Sequence, residues 1–243
     1  MLDSAMPPSA KPSSAKPSSA KPSSAKRRSV RPAKPYHHGD LRRVLIDAAL
    51  DLVEEVGAEG VSVREAARRA GVSPGAPFRH FPNRIALMTA VAEEAQKLFR
   101  AEIDTALAEL KPGNPLVRFR CIGQAYLHWA IRNPTHFEII SSGRYFDHDN
   151  AAGVSRDNAE VIAMAESALV EAHAQGQLRS ADLKQVLIAG RALVYGFARM
   201  NIDGHFPRWG IADAEAGRMA EAILDLFIEG IAAPPGAAIR RVR

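Results

Sequence analysis

Between Leu41 and Ile231 the apolar positions recur every three or four residues, the period of helices that bury one face. Leu41, Leu45, Ala48, Ala49, Leu52, Val53 and Val56 make the first stripe, with Asp40 in the capping position before it and Gly57 at its end. Val63, Ala66, Ala67 and Ala70 make a second, shorter stripe of small residues. Ser62 and Glu65 stand at its start in the spacing of a reciprocal cap. Gly71 stops it, because only glycine enters the left-handed region without a steric penalty. Ser73 and Pro74 then predict a restart, a side-chain cap followed by a residue with preset helical φ. Phe78 and Phe81 are expected to point one way, Arg79 and His80 another.

Asn83 caps a long helix whose stripe is Met88, Val91, Ala92, Ala95, Leu98, Phe99, Ile103, Ala106, Leu107 and Leu110, stopped by Lys111-Pro112-Gly113. At about 1.5 Å per residue it extends about 40 Å. Leu116 to Ala130 marks the next helix, ended by Asn133-Pro134, and a short piece follows around Phe137, Ile139 and Ile140. Ser141 to Gly153 reads as a polar, mobile loop. Val161 to Ala172 gives another helix, closing at Gly176, and two more run over about 182–204 and 211–231. No stretch alternates with the period of a strand. The expectation is an all-α chain.

Two short helices joined by a glycine turn, the second carrying small and basic residues, have the geometry that enters a major groove. Spacing alone equally allows a helical hairpin inside a larger bundle. Residue identities are more specific. Val63-Arg64-Glu65-Ala66-Ala67, Ala70-Gly71-Val72-Ser73, Gly75, Phe78-Arg79-His80-Phe81, Asn83-Arg84 and Leu87 resemble the DNA-binding domain of the TetR family of transcriptional regulators, over about sixty residues from Gly39 to Phe99. The resemblance implies an N-terminal three-helix helix-turn-helix domain at 36–99 and a helical ligand-binding and dimerisation domain at 100–232. It also implies a double-stranded DNA operator, a small-molecule effector and a homodimer. Ala192-Leu193-Val194-Tyr195-Gly196-Phe197 resembles a C-terminal subfamily marked by a Trp-His-Gly triplet, of which Gly196 alone matches strictly.

Carried over residue by residue, the resemblance makes Ser62, Val63, Arg64, Ser73, Gly75, Ala76, Pro77, Phe78, Arg79, His80 and Arg84 the DNA-binding set. Ser62, Arg64, His80 and Arg84 resemble phosphate anchors, which position the protein without reading sequence. Gly75, Ala76 and Arg79 are the candidates for base edges, since an arginine can donate two bonds to a guanine. Phe78 stands where the family usually has Tyr, which removes a phosphate-bonding hydroxyl. Pro77 falls inside the expected recognition helix, where its ring crowds a carbonyl and its missing N–H breaks a bond. Either the first turn is distorted or the helix begins nearer Pro77.

In the body, Tyr126, His128, Trp129, His136, Tyr195 and Arg199 are candidates to line an effector pocket, or equally to be core and interface residues. The last two helices, by resemblance, pair with a second copy, with Leu187, Gly190, Val194, Ile223 and Phe227 as dimerisation candidates. Internal core packing is the competing account of the same residues.

Charge changes the picture at the ends. Residues 1–35 carry eight Lys and Arg against Asp3, a net of +7, so the overall +5 leaves −2 for the remainder. Their Ser-Ala-Lys-Pro repeat places Pro every fifth residue and offers nothing to bury, which predicts a disordered basic tail. Such a tail either tracks phosphate backbone or serves as a solubilising leader. A short basic tail follows at 233–243. The single Cys121 fits a reducing cytoplasm, and no apolar run reaches membrane-spanning length. There is no Gly-rich phosphate loop, GxSxG elbow, paired Cys or His-x-x-x-His spacing, so no catalytic, cofactor or metal site is expected. The expected function is a sequence-specific regulator, most simply a repressor released by its ligand. The rivals are an architectural DNA binder driven by the tail and, further off, a helical-bundle enzyme.

Overall fold

The computed structural model describes residues 41–234; the expectations for the tail at 1–35, the lead-in ending at Asp40 and the basic residues after Pro234 lie outside them. Among the described residues are eight α-helices: α1 Leu41–Val56, α2 Val63–Arg69, α3 Arg84–Glu109, α4 Pro115–Arg132, α5 Pro134–Ser142, α6 Ala152–Ala174, α7 Leu183–Ile202 and α8 Ala216–Ile231. The β-type pairing among them is an isolated bridge between Leu178 and Ala232, which ties the α6–α7 link to the end of α8. The all-α expectation holds.

Side-chain caps start three of the longer helices, the first at Asn83 as the sequence predicts. Asn83 Oδ1 accepts the Ala86 N–H at 2.9 Å, Asn114 Oδ1 accepts that of Leu116 at 2.9 Å, and Asp182 Oδ1 accepts that of Gln185 at 3.0 Å. Each such cap contributes about 1 kcal/mol. Pro115 and Pro134 open α4 and α5, where a missing N–H costs nothing.

The apolar faces meet in two clusters. One gathers α1, α2, Phe81 and the first half of α3, with Leu87, Met88 and Val91 fully enclosed. The other joins the second half of α3, through Phe99 and Ile103, to α4, α6, α7 and α8. α3 therefore contributes to both, as do α5 through Ile139 and Phe137 and α6 through Val154 and Val161.

Three expectations change. The stretch 141–153 is not simply a polar loop: α5 runs on to Ser142, α6 begins at Ala152, and Tyr145, Phe146 and Ala151 are buried in the first cluster, against α1–α3. Thr89 Oγ1 accepts the Asp147 N–H at 3.2 Å and Glu93 Oε1 accepts that of Gly153 at 3.3 Å, which fixes the segment to α3. Its apolar residues follow no period, so pattern reading passes over them. Leu98 and Val56, placed on buried stripes, are 45% and 57% exposed, while Ile46 and Leu87 take inward positions instead. Gly190 and Val194 belong to the protomer's own core rather than to an outward dimer face. A Cβ at Gly190 would lie 3.1 Å from Phe119 and 3.2 Å from Phe227, so the glycine admits two rings that a side chain would push back.

Phe146→Ala should lower unfolding free energy by about 3–5 kcal/mol, the range for a buried ring. A urea titration checks this; a change within about 0.5 kcal/mol, as for a surface loop, would return 141–153 to the mobile-loop account.

Candidate nucleic-acid interface and effector cavity

Ser62 Oγ accepts the Glu65 N–H at 3.1 Å, so the hydroxyl half of the predicted cap forms. The Glu65 carboxylate turns to Arg68 instead. At the other end of α2, Gly71 adopts φ +71°, with the Val72 N–H donated to Ala67 O at 3.1 Å and the Gly71 N–H to Arg68 O at 3.2 Å. These are the two bonds of a Schellman stop.

The next helical element is a single 3₁₀ turn, Ala76–Arg79, not a helix restarted at Ser73-Pro74. The cause is Pro77. A helix begun at Ser73 would need its N–H for the Ser73 carbonyl, and proline has none. The Ala76 N–H takes that carbonyl at 3.1 Å, and the turn then starts with Pro77 at a position whose donor would have been unused. The Phe81 N–H bonds Pro77 O at 2.9 Å, one α-type turn apart, which puts Pro77 and Phe81 on one inward face and Phe78 on the other. Phe81 is 2% exposed and Phe78 is 41% exposed, so the two rings do not point one way.

This divides the predicted DNA set. Arg64, Ser73, Gly75, Phe78, Arg79 and His80 face solvent, and Ser62 and Ala76 are half-buried. Val63 and Pro77 are buried in the hydrophobic interior, which corrects their place in a contact set. Among the described residues Arg64 and Arg79 form no ion pair, whereas Arg68 is held by Glu65 and Arg69 by Glu55. Gly75 has φ −88°, a conformation open to any residue, and a Cβ there would meet nothing within 4 Å. Nothing in the protomer itself requires a glycine at that point.

Arg84 is turned inward. Its Nε donates to Val61 O at 2.9 Å and its Nη2 to Ala58 O at 2.7 Å, so the guanidinium closes the Ala58–Gly60 turn between α1 and α2. The planar fork that suits a phosphate suits two carbonyls equally well. The sequence identified its chemistry but not its partner.

In the body, Tyr126 and Tyr195 line a common cavity of about 220 Å³, walled by α3, α4, α5, α6, α7 and the 143–151 link and open to solvent on one side. Burial pushes the Tyr126 phenol up to about 12, so it stays a neutral donor at physiological pH. The other four pocket candidates lie elsewhere. His128 Nε2 meets Glu221 at 2.7 Å between α4 and α8, Trp129 packs on Phe99 at 5.1 Å, and Arg199 bonds Asp203 at 2.6 Å. His136 is buried with Nδ1 3.9 Å from Glu54 of α1 and without a hydrogen-bond partner. The sequence reading missed Gln96, Asn158 and Arg191, which also line the cavity. Gln96 and Asn158 are polar residues on the inward side of α3 and α6, and that mismatch with the stripe was the available signal. A second, apolar cleft of about 80 Å³ adjoins, sharing Tyr126 and Arg191; the dimerisation candidates Leu187 and Phe227 line it. The remaining candidate, Ile223, packs half-buried on the body core. The most exposed apolar side chains of α7 and α8 are Ile188 and Leu226, at 58% and 70%.

Among the described residues no group of three or more His, Cys, Asp or Glu is placed to hold a metal ion, and no helix is long and apolar enough to cross a membrane.

This geometry defines a helix-turn-helix protein with a helical body. Comparison with known proteins names the family. Residues 45–91 match the model for bacterial regulatory proteins of the tetR family, and residues 119–227 match the tetracyclin repressor-like C-terminal domain. The chain is 30% identical over 112 residues to the HTH-type transcriptional repressor KstR of Mycolicibacterium smegmatis, a match covering 46% of this chain and 54% of that one. It is 49% identical over 49 residues to the tetracycline repressor protein class A from transposon 1721 of Escherichia coli, covering 20% of this chain and 23% of that one. The chain thus spans about half the length of the first of these curated relatives and about a quarter of the second. A solved protein of unknown function from Rhodococcus sp. RHA1 superposes with a TM-score of 0.69 at 28% identity, over 83% of this chain and 100% of that one. The chain belongs to the TetR family. The Trp-His-Gly subfamily is not confirmed by these matches.

Two outcomes follow from the geometry. Arg84→Lys replaces a fork whose two separated nitrogens serve two carbonyls by a single ammonium and should cost roughly 1–3 kcal/mol of stability, whereas Arg79→Lys should stay within about 0.5 kcal/mol; urea midpoints of the two variants check the contrast. Burial holds the His136 imidazole below its usual range, against a smaller opposing pull from Glu54. A folded-state value below the unfolded one means the unfolded chain binds more protons, so this contribution is present above about pH 6.5 and is lost as pH falls below it. His136→Gln should therefore flatten the part of the stability–pH curve between neutral and mildly acidic pH, as followed by thermal melting.

Proposed function

We propose that this protein is a sequence-specific transcriptional regulator, a repressor in its simplest form, that binds a palindromic operator as a homodimer and is released by a small-molecule effector. The observation that carries the reading is the solvent face of the helix-turn-helix. Arg64 and Arg79 stand there without carboxylate partners, beside a glycine that the protomer does not need. A bare backbone at Gly75 leaves room for close approach to a groove, and Arg79 supplies a fork for a guanine. Helix-turn-helix dimers hold their reading elements about 34–36 Å apart, one helical turn of DNA. The outward Ile188 and Leu226 supply apolar surface for the second copy.

The cavity supports the effector half of the reading. His148 lines it, and the His148 ring meets Phe146 in a tilted contact at 4.3 Å; Phe146 is part of the α1–α3 cluster. Val154 belongs to both the cavity wall and that cluster. A ligand that repositions this link changes the packing under the helix-turn-helix, and a ligand acts as inducer by favouring one of two such arrangements. The repressor names of the relatives agree with this direction of control.

Selection of binding sites from random duplex DNA at fixed salt tests the proposal. A palindrome should emerge, and it should persist when residues 1–35 are deleted. No motif, with binding lost on that deletion, would make the protein an architectural binder. Gly75→Ala should leave the melting temperature unchanged and weaken operator binding at least tenfold, while Arg79→Ala should relax base preference by about 1–3 kcal/mol. Electrophoretic shifts on the selected operator and on single-base variants check both.

A further inference from the structure

The chemistry of the cavity's wall narrows the ligand. No aspartate or glutamate lines it, and its one permanent charge is Arg191. The Arg191 guanidinium lies 5.0 Å over the Tyr126 ring, at the junction of the polar cavity and the apolar cleft. It forms no ion pair among the described residues, unlike Arg120 and Arg199, which are held by carboxylates. Gln96 is 4% exposed, and its Nε2 is buried without a hydrogen-bond partner. A buried amide donor left open costs about 1–3 kcal/mol unless something accepts from it. Asn158 adds further amide capacity. Set against these are apolar walls: Phe99 meets Tyr126 edge-on at 5.1 Å, and Tyr126 meets Phe137 at 5.6 Å.

A lone cation and an open donor select an acceptor-rich anion, and aromatic walls select an apolar body. A cavity of roughly 150 Å³ accommodates a benzene ring, so about 220 Å³ leaves room for a ring or branched hydrocarbon and a short acidic arm. We propose that the effector is a small monocarboxylate with an aromatic or branched apolar body, its carboxylate on Arg191 and Gln96 and its body among Phe99, Tyr126 and Phe137. This rests on the reading of the cavity as the effector site. Arg191 is the specificity-determining residue, since its planar fork makes two charge-assisted bonds to a carboxylate, whereas a neutral amide offers it a single uncharged oxygen.

The test uses the full chain and two probes that differ only in the acid, 3-phenylpropanoate and 3-phenylpropanamide, titrated calorimetrically. The carboxylate should bind at least tenfold more tightly than the amide. Arg191→Met should remove that preference, bringing the acid down to the level of the amide. Arg191→Lys, which keeps the charge but loses the fork, should retain part of it. Arg191 is exposed, so both variants should keep the parent's melting temperature in the absence of probe. Equal affinity for acid and amide, a preference that survives in Arg191→Met, or no binding of either at millimolar concentration would each overturn the assignment. The calorimetry involves no DNA, so the two readings fail separately. A recovered palindrome with no acid preference sinks the ligand class alone, and an Arg191-dependent acid preference with no operator motif sinks the regulator alone.

Discussion

α3 is the constraint on which the rest of the structure depends. Twenty-six residues without a break carry Leu87, Met88 and Val91 into the cluster beneath the helix-turn-helix and Phe99 and Ile103 into the cluster of the body. Because one rigid element is buried at both ends, neither cluster can shift its packing without the strut shifting too. Side chains that hold two cores at native density do not slide continuously; they repack between discrete arrangements. That property allows a small event in the body to become a change beneath Arg79.

The 143–151 link makes a second connection in parallel with the strut. Phe146 sits with α1 to α3, while His148, two residues on, lines the cavity and packs its ring at a tilt against Phe146. The link is also held to α3 by the Thr89 and Glu93 side chains. Both routes therefore pass through the face of α3 that carries Gln96 towards the cavity. An occupant that engages Gln96 acts on the same helix whose N-terminal half packs beneath the helix-turn-helix.

A single residue decides the form of the turn that follows α2. Pro77 denies the chain the hydrogen bond that a helix from Ser73 would need, and the result is one 3₁₀ turn whose inward side is Pro77 and Phe81. The outward side is left to Gly75, Phe78, Arg79 and His80. Arg84, at the foot of α3, braces the preceding turn through Ala58 and Val61, so the orientation of the whole unit depends on a guanidinium that faces the protein.

What the sequence by itself determined is whatever short-range chemistry controls. Stripes at helical spacing located α1, α3, α4 and α7, and Asn83, Gly71, Pro112-Gly113 and Asn133-Pro134 marked ends that the structure reproduces, because caps and stops act within one turn of the chain. The residues of the helix-turn-helix carried the family in the same way, as a contiguous pattern. Only the tertiary structure decided which polar atoms meet. Arg84 and Arg79 are alike in sequence, yet one finds carbonyls 23 and 26 residues away and the other finds solvent. Phe146 lies in a stretch without period and is buried with residues of α1, α2 and α3, all far earlier in the chain. Tyr126 and Arg191, on α4 and α7, become neighbours only when those helices pack. A linear pattern reports which face of an element is apolar; which distant element covers that face, and which donor is left open between them, is settled by packing in three dimensions.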